Sequence, residues 1–439
     1  MPSVDGNIHI VYIPLLPRLY HSILKKEFPR SPFAPQQFPS LLPITGLSMN
    51  ALSSGVKKHG ALDLALFLLP EGSHVAGIFS LSDCASPAVA WCRHILPRSK
   101  PRAIIVNAGN ANAYVAKSGE ESLRLITEAL SHKLAIARDS IFMASTGVIG
   151  VKLPTQTILS QLERLCATQE PHQEAWHHVA QAIMTTDTYP KGACATCAIN
   201  GKTITLSGVA KGSGMIAPNM ATMLAFIFTD ADIPKGILQD MLCAHSETTF
   251  HAIDVDGDMS TSDTVLLTAT HSVQTDHAYD TMHDPALQDF RKALHHVMHT
   301  LALHIVRDGE GAQKSIDIHV TSASSHVMAR AIATHVARSP LVKTAIAGAD
   351  PNWGRIIMAV GKARQNIKQD ALSLTMCHIP IIQKGVCVLT PEQEKKLCHA
   401  MNGRHIPLHI DLNLGTESFT MWTCDLTHGY IDINADYRS

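Results

Sequence analysis

The chain lacks what several broad functions would require. Its formal net charge is −1 at pH 7 over 439 residues. No global field therefore draws it to nucleic acid or to an anionic membrane. Basic residues are scattered rather than clustered, against the pattern of a nucleic-acid binder. No apolar run reaches membrane-spanning length. The longest near the start, Ile8 to Leu16, is short, contains Pro14 and follows Asp5 rather than a basic stretch, a poor signal peptide. Metal and redox signatures are also sparse. Among ten cysteines the nearest thing to a zinc or thioredoxin pair is Cys194 and Cys197, and no second pair with ribbon-like spacing follows. The 26 histidines include no His-Glu-x-x-His pattern. The expectation is buried, reduced thiols, no metal, no cofactor and a cytoplasmic location.

What is present is an ordinary globular balance, 46% hydrophobic and 17% charged. The first 40 residues hold Pro14, Pro17, Pro29, Pro32, Pro35 and Pro39 and read as an N-terminal extension outside the main fold. From Gly46 onward, short apolar strands interleave with amphipathic helices. Strands are expected at Leu62 to Leu69, Arg102 to Asn107, Thr203 to Ser207, Thr222 to Phe228, Val265 to Ala269 and Ser315 to Val320. Helices are expected at Glu120 to Leu134, Thr155 to Leu165, Glu174 to Met184, Ile237 to Phe250, Pro285 to Ile305 and Ser325 to Ala337. Leu408 to Tyr437 reads as strand-rich. The interleaving predicts an α/β (α+β layered) fold without internal repeats.

The most unusual segment is Lys211-Gly-Ser-Gly-Met-Ile-Ala-Pro-Asn-Met-Ala-Thr222. Glycines and a proline crowd into a loop that runs straight into the apolar strand at Thr222. It precedes a strand rather than a helix and has no Gly-Lys-Ser/Thr ending, so it is not a phosphate-binding loop. Seven further blocks stand out: Asn107 to Asn112, Ala144-Ser-Thr-Gly-Val-Ile-Gly150, Met184-Thr-Thr-Asp187, Asp254-Val-Asp-Gly-Asp258, Asp308-Gly-Glu-Gly311, Asp350-Pro-Asn-Trp-Gly-Arg355 and Ile433-Asn-Ala-Asp-Tyr437.

Taken together and in this order, the blocks resemble the ornithine acetyltransferase family, also called glutamate N-acetyltransferase, of the arginine pathway. The resemblance runs from about Gly46 to Ser439. It implies a self-processing, N-terminal-nucleophile-like fold cut between Ala221 and Thr222, giving an alpha chain (41–221) and a beta chain (222–439). It also implies catalytic roles for Thr222, Thr146 and Gly147, the last two in the oxyanion hole. Thr185, Lys211, Thr222, Glu310, Asn434 and the C-terminal Ser439 would surround the substrate. The implied partners are N-acetylornithine and glutamate, with acetyl-coenzyme A as a second candidate donor, in a heterotetramer of two alpha and two beta chains. The sequence departs from the family at Met259, Ser262 and Ala217, none of them a proposed catalytic group.

The chemistry suits these residue types. A threonine hydroxyl needs a base at hydrogen-bond range. A chain-terminal α-amine titrates near 7.7–8.0 and can accept that proton. Cutting before Thr222 therefore makes nucleophile and base on one residue. Lys211 suits a carboxylate and Glu310 an ammonium group. The alternative reading is an amidase or aminopeptidase on a related self-cleaving fold, with water as acceptor. An uncleaved binding protein is a third reading, disfavoured by Thr222, Thr146 and Gly147 occurring together.

Overall fold

The computed structural model describes residues 29–167, 172–217 and 223–435. Ala221, Thr222 and Ser439, three of the expected site residues, lie outside the described residues.

The first sheet has the order β1 (Ser48–Leu52), β2 (Leu64–Leu68), β4 (Ala103–Asn110), β5 (Ile141–Val148). The second has the order β3 (His74–Phe79), β9 (Thr264–Val273), β8 (Leu224–Ala231), β7 (Lys202–Lys211), β6 (Lys191–Ile199). These two sheets face each other. Strand alternation decides which side chains meet. Leu224, Phe226 and Phe228 of β8 point at the first sheet, where Phe67 lies 5.6 and 4.9 Å, ring to ring, from the two phenylalanines. Ala225 and Ile227 point the other way, onto α5 (Lys235–Ser246) and α6 (Gln288–Arg307). Both faces of β8 are buried, which is why its sequence is an unbroken apolar run.

The far face of the first sheet, with Leu64, Leu66, Ile105 and Met143, is covered by α2 (Lys117–Leu134) and α3 (Thr155–Ala167). The result is four layers, helix, sheet, sheet, helix. Helices α1 (Pro87–Ile95) and α4 (His172–Ala182) pack into the same sandwich. The sandwich hides apolar residues of α4, namely Ala175, Trp176, Val179 and Ala180, in the core between the sheets.

A third sheet has the order β13 (Val386–Cys387), β12 (Ile379–Gln383), β11 (Ser373–Met376), β14 (His405–Asp411), β10 (Ser315–Ala323), β15 (Glu417–Cys424). Helices α7 (His326–Ala337), α8 (Pro340–Ala347), α9 (Trp353–Lys362) and α10 (Pro391–Ala400) share its hydrophobic core or flank it. The final element is a helix, α11 (His428–Ala435).

Several expectations change here. The end of the chain is not strand-rich throughout, because its last described residues are helical. Ile431-Asp-Ile433 alternates like a strand, but Tyr430 and Asn434, four apart, bond the neighbouring loops as one helix face. All ten cysteines are unpaired, but Cys84, Cys243, Cys387 and Cys398 are exposed while Cys92 and Cys424 are buried. Within the proline-rich start, residues 29–40 lie against the sandwich. Ser31 donates its hydroxyl to Arg307 O at 2.6 Å and its backbone N–H to Thr188 Oγ1 at 2.9 Å, and Phe38 packs on His177. Among the described residues no helix is long and apolar enough to cross a membrane.

Candidate active site

Strand ends converge at one edge of the sandwich. β5 delivers Thr146 and Gly147, β7 ends on Lys211, and β8 begins at Leu224. Register fixes these ends side by side: Lys211 pairs with Leu224, and Leu224 pairs with Thr264. Between them lies a cavity of about 320 Å³ whose lining includes Thr146, Gly147, Thr185, Lys211, Glu310 and Asn434. Every described residue that sequence reasoning placed at the site is therefore brought to one cavity.

The β5 wall is neutral. Thr146 is 1% exposed and its Oγ1 has no hydrogen-bond partner among the described residues. A buried hydroxyl left without a partner costs about 1–3 kcal/mol, so an acceptor entering the cavity would gain by bonding to it. Gly147 has φ +127°, and a Cβ there would overlap the Gly109 carbonyl carbon and the Asn110 nitrogen. Only glycine fits this strand end. The Asn107 to Asn112 block explains the close approach. Ser145 donates its hydroxyl to Asn107 Oδ1 at 2.6 Å, and Asn107 Nδ2 donates to Asn110 O at 2.9 Å. The paired ends of β4 and β5 are thereby fixed.

The opposite wall is charged. Lys211 is 1% exposed, and its Nζ lies 3.3 Å from Thr185 Oγ1. Burial pushes its pKa below the ordinary lysine range, while Asp187 and Asp263 pull it back up. Beneath it, Asp187 accepts from Lys191 Nζ at 2.6 Å, Gly212 N at 2.7 Å and Thr185 N at 2.9 Å. Burial works to raise the Asp187 pKa. The Lys191 and Lys211 charges and these hydrogen bonds outweigh it and hold the group at about 2. Lys191 also reaches Asp308 Oδ2 at 2.6 Å, and both ends of both pairs are fully buried. One carboxylate thus fixes the backbone on both sides of the cavity, at Thr185 and at Gly212.

Glu310 is 7% exposed and its Oε2 accepts from Asn434 Nδ2 at 2.6 Å. Burial pushes its pKa up, and the Thr186 and Asn434 hydrogen bonds oppose the rise. A Cβ on Gly214 would overlap the Glu310 carboxyl, so the loop after β7 passes close over it. Met215, at φ +58°, is held by Asp256, which accepts from Met215 N at 2.6 Å and Ile216 N at 2.9 Å. A methionine in the left-handed region is strained, and Asp256 supplies the bonds that keep it there.

Sequence reasoning missed several residues of this arrangement. Asp187 and Asp256 sat in the conspicuous blocks without a role, whereas Lys191, Asp263 and Tyr430 had no signal. Tyr430 donates its hydroxyl to Asp256 Oδ2 at 3.2 Å, tying α11 to the same loop. In chemical terms the cavity offers a neutral donor wall for a developing negative charge. Facing it are one cation and one anion suited to a small zwitterion.

Comparison with known proteins identifies the family. Residues 48–439 match the ArgJ family. The chain is 43% identical over 425 residues to the arginine biosynthesis bifunctional protein ArgJ of Gluconobacter oxydans, covering 97% of this chain and 99% of that protein. It is 44% identical over 411 residues to the protein of the same name from Ruegeria pomeroyi, covering 93% and 98%. A crystal structure of the Bacillus halodurans ArgJ protein aligns with a TM-score of 0.44 at 36% identity, over 47% of this chain and 95% of that one. With the match spanning nearly its whole length, the chain belongs to the ArgJ family of arginine biosynthesis enzymes.

Proposed function

We propose that the chain cuts itself between Ala221 and Thr222 and then uses Thr222 to move an acetyl group from N-acetylornithine to glutamate. The observation that carries this reading is the buried Thr146 hydroxyl, without a hydrogen-bond partner among the described residues, on a cavity that Lys211 and Glu310 also line.

In the first half-reaction the Thr222 hydroxyl attacks the acetyl carbonyl carbon, and its proton passes to the Thr222 α-amine. Negative charge grows on the carbonyl oxygen, where the Thr146 hydroxyl and the Gly147 N–H stabilise it. The C–N bond breaks, the proton moves from the α-amine to the leaving nitrogen, and ornithine departs. In the second half the glutamate α-amine attacks acetyl-Thr222 and the same groups run in reverse. Lys211 and Thr185 take the substrate carboxylate. Glu310, held by Asn434, takes the ammonium end, and Ser439 closes the site. The α-carboxylate common to both amino acids is held by the same cation, whereas Glu310 pairs with the side-chain ammonium of ornithine, which glutamate lacks.

Acetyl-coenzyme A is a second donor in this reading, in keeping with the bifunctional name of the relatives. The pieces 41–221 and 222–439 stay together after cutting, because β7 from the first pairs with β8 of the second along six residue pairs. Two of each assemble as a cytoplasmic heterotetramer.

The competing amidase reading uses water as acceptor. Supplying N-acetylornithine and acetyl-coenzyme A in parallel, with and without glutamate, separates the two. Acetylglutamate formed from either donor supports transfer. Free acetate released at the same rate whether or not glutamate is present contradicts it.

A further inference from the structure

A second cavity adjoins the active-site cavity, and the two carry opposite charge. Val148 and Thr185 line both of them, so the two spaces share a boundary. The charged residues around the active-site cavity are Lys211, Asp256, Asp258 and Glu310, three of them acids. The outer cavity, of about 700 Å³, is lined by Lys57, Lys58 and Lys152, and no carboxylate lines it among the described residues. A multiply charged anion is therefore repelled from the first space and drawn to the second.

The segments that carry these lysines are fixed by the fold. Fully buried Asp63 accepts from Ser54 N at 2.6 Å, Gly55 N at 3.1 Å and Lys57 N at 2.8 Å, which pins the backbone just before Lys58. Gly109, at φ +100°, passes against the Lys57 stem, where an added Cβ would lie 3.0 Å from its Cγ. On the other rim Asn110 Nδ2 donates to Val151 O at 3.0 Å and Lys152 O at 3.3 Å. Lys57 Nζ donates to Leu62 O at 2.9 Å and Ala182 O at 3.3 Å, which leaves one of an ammonium's three protons for a ligand. Burial pushes the Lys57 pKa down to about 8, with Asp63 and Asp187 opposing the fall and Lys211 adding to it. Lys57 thus stands close enough to the active-site wall to feel its charges, and a bound phosphate would favour its cationic form. Lys58 and Lys152 are exposed and carry the charge outward.

We propose that the outer cavity is the subsite for the phosphates of a nucleotide-borne acetyl thioester. The acetyl carbonyl would lie against Thr146 and Gly147, and the arm of the donor would run past Val148 and Thr185 to the three lysines. This rests on the reading of acetyl-coenzyme A as a second donor. Size supports it as well as charge. The active-site cavity, about 320 Å³, is at the small end of ligand pockets and suits an amino acid. A nucleotide thioester overfills that space and must extend out of it, and lysine ammonium groups suit its phosphates as point charges. N-acetylornithine carries no phosphate, so it has no use for these lysines.

The test compares three donors on the purified, full-length enzyme, with acetylglutamate formation as the readout. They are acetyl-coenzyme A, N-acetylornithine and S-acetylpantetheine, which keeps the thioester and arm but has no phosphate. The variant is the double substitution Lys58→Glu, Lys152→Glu, at two exposed positions outside the catalytic machinery. Its KM for acetyl-coenzyme A is expected to rise about 10–100-fold, the scale of two lost charge-assisted contacts. The kinetics with N-acetylornithine and S-acetylpantetheine should stay as in wild type, which also shows that the variant is folded. A variant with the wild-type KM for acetyl-coenzyme A, or one weakened alike toward all three donors, overturns the proposal. Wild-type enzyme that uses N-acetylornithine but never acetyl-coenzyme A overturns the second-donor reading and the subsite with it. Wild-type enzyme that uses acetyl-coenzyme A while the variant matches it overturns the subsite alone.

Discussion

The four-layer sandwich and the third sheet bury their polar groups differently. The third unit is held by an aliphatic interior, with Ile316, Ile318, Ile332, Leu374 and Leu408 all at 0–1% exposure. Its buried cations, Lys314 and Lys343, sit at its margins and cap backbone carbonyls of Ile346, Met401 and Val255. The sandwich instead encloses Asp187, Lys191, Lys211, Asp263, Asp308 and Glu310 near one edge. Buried charge is costly unless paired, so a concentration of it marks where the molecule retains polar groups for a purpose other than stability. The lesson is that buried ion pairs keep the active edge in one arrangement, whereas the third unit has an aliphatic interior and keeps its buried cations at its margins.

That contrast can be broken by substitution. The largest effect is expected from Lys191→Met, which leaves Asp187 and Asp308 buried without their cation. It should cost about 3–5 kcal/mol of stability, with loss of activity because Asp187, the common anchor of Thr185 and Gly212, loses the cation that holds it. Leu374→Ala in the third unit should cost a similar amount, about 2–5 kcal/mol, yet leave the kcat of folded enzyme unchanged. Denaturant unfolding paired with steady-state kinetics checks both. A Leu374→Ala enzyme with a changed kcat would erase the distinction between the regions.

Within the active edge, the two walls are expected to separate in kinetics. Thr146→Val keeps the side-chain shape and removes the donor. We expect kcat to fall by about 10²–10³, with a smaller change in KM. Glu310→Gln should act the other way, raising KM about tenfold, the scale of one charge-assisted hydrogen bond, with a smaller change in kcat. If Thr146→Val changes KM alone, the neutral wall binds substrate and does not hold the oxyanion.

The smallest effect is a pH signature. Asp187 titrates at 3.8 in an unfolded chain and at about 2 in the fold. The unfolded chain takes up the proton first as pH falls. Asp187 therefore contributes stability above about pH 4, and that contribution is lost as pH drops toward 2. Melting temperatures across this window should show a slope that Asp187→Asn flattens.

Much of this was legible in the sequence, and the reasons differ by region. The expected strand at Thr203 to Ser207 and helix at Ser325 to Ala337 match β7 and α7, because one period dominates each segment. Thr146, Gly147, Thr185, Lys211, Glu310 and Asn434 were identified through the family's blocks, and they share one cavity. Lys191 and Asp263 were not legible. Their importance comes from partners 117 and 40 residues away, which no local pattern encodes. Helix α11 was misread for the same reason, since its conformation is fixed by the bonds of Tyr430 and Asn434 to distant loops.

The central claim is that residue 222 carries the acetyl group. Purified enzyme mixed with N-acetylornithine alone, quenched in acid and digested, tests it by mass spectrometry. The account predicts a peptide beginning at Thr222 that carries one added acetyl group, which glutamate then removes to form acetylglutamate. Active enzyme whose chain is still joined at Ala221–Thr222, or whose Thr222 peptide never gains the acetyl group, would contradict it.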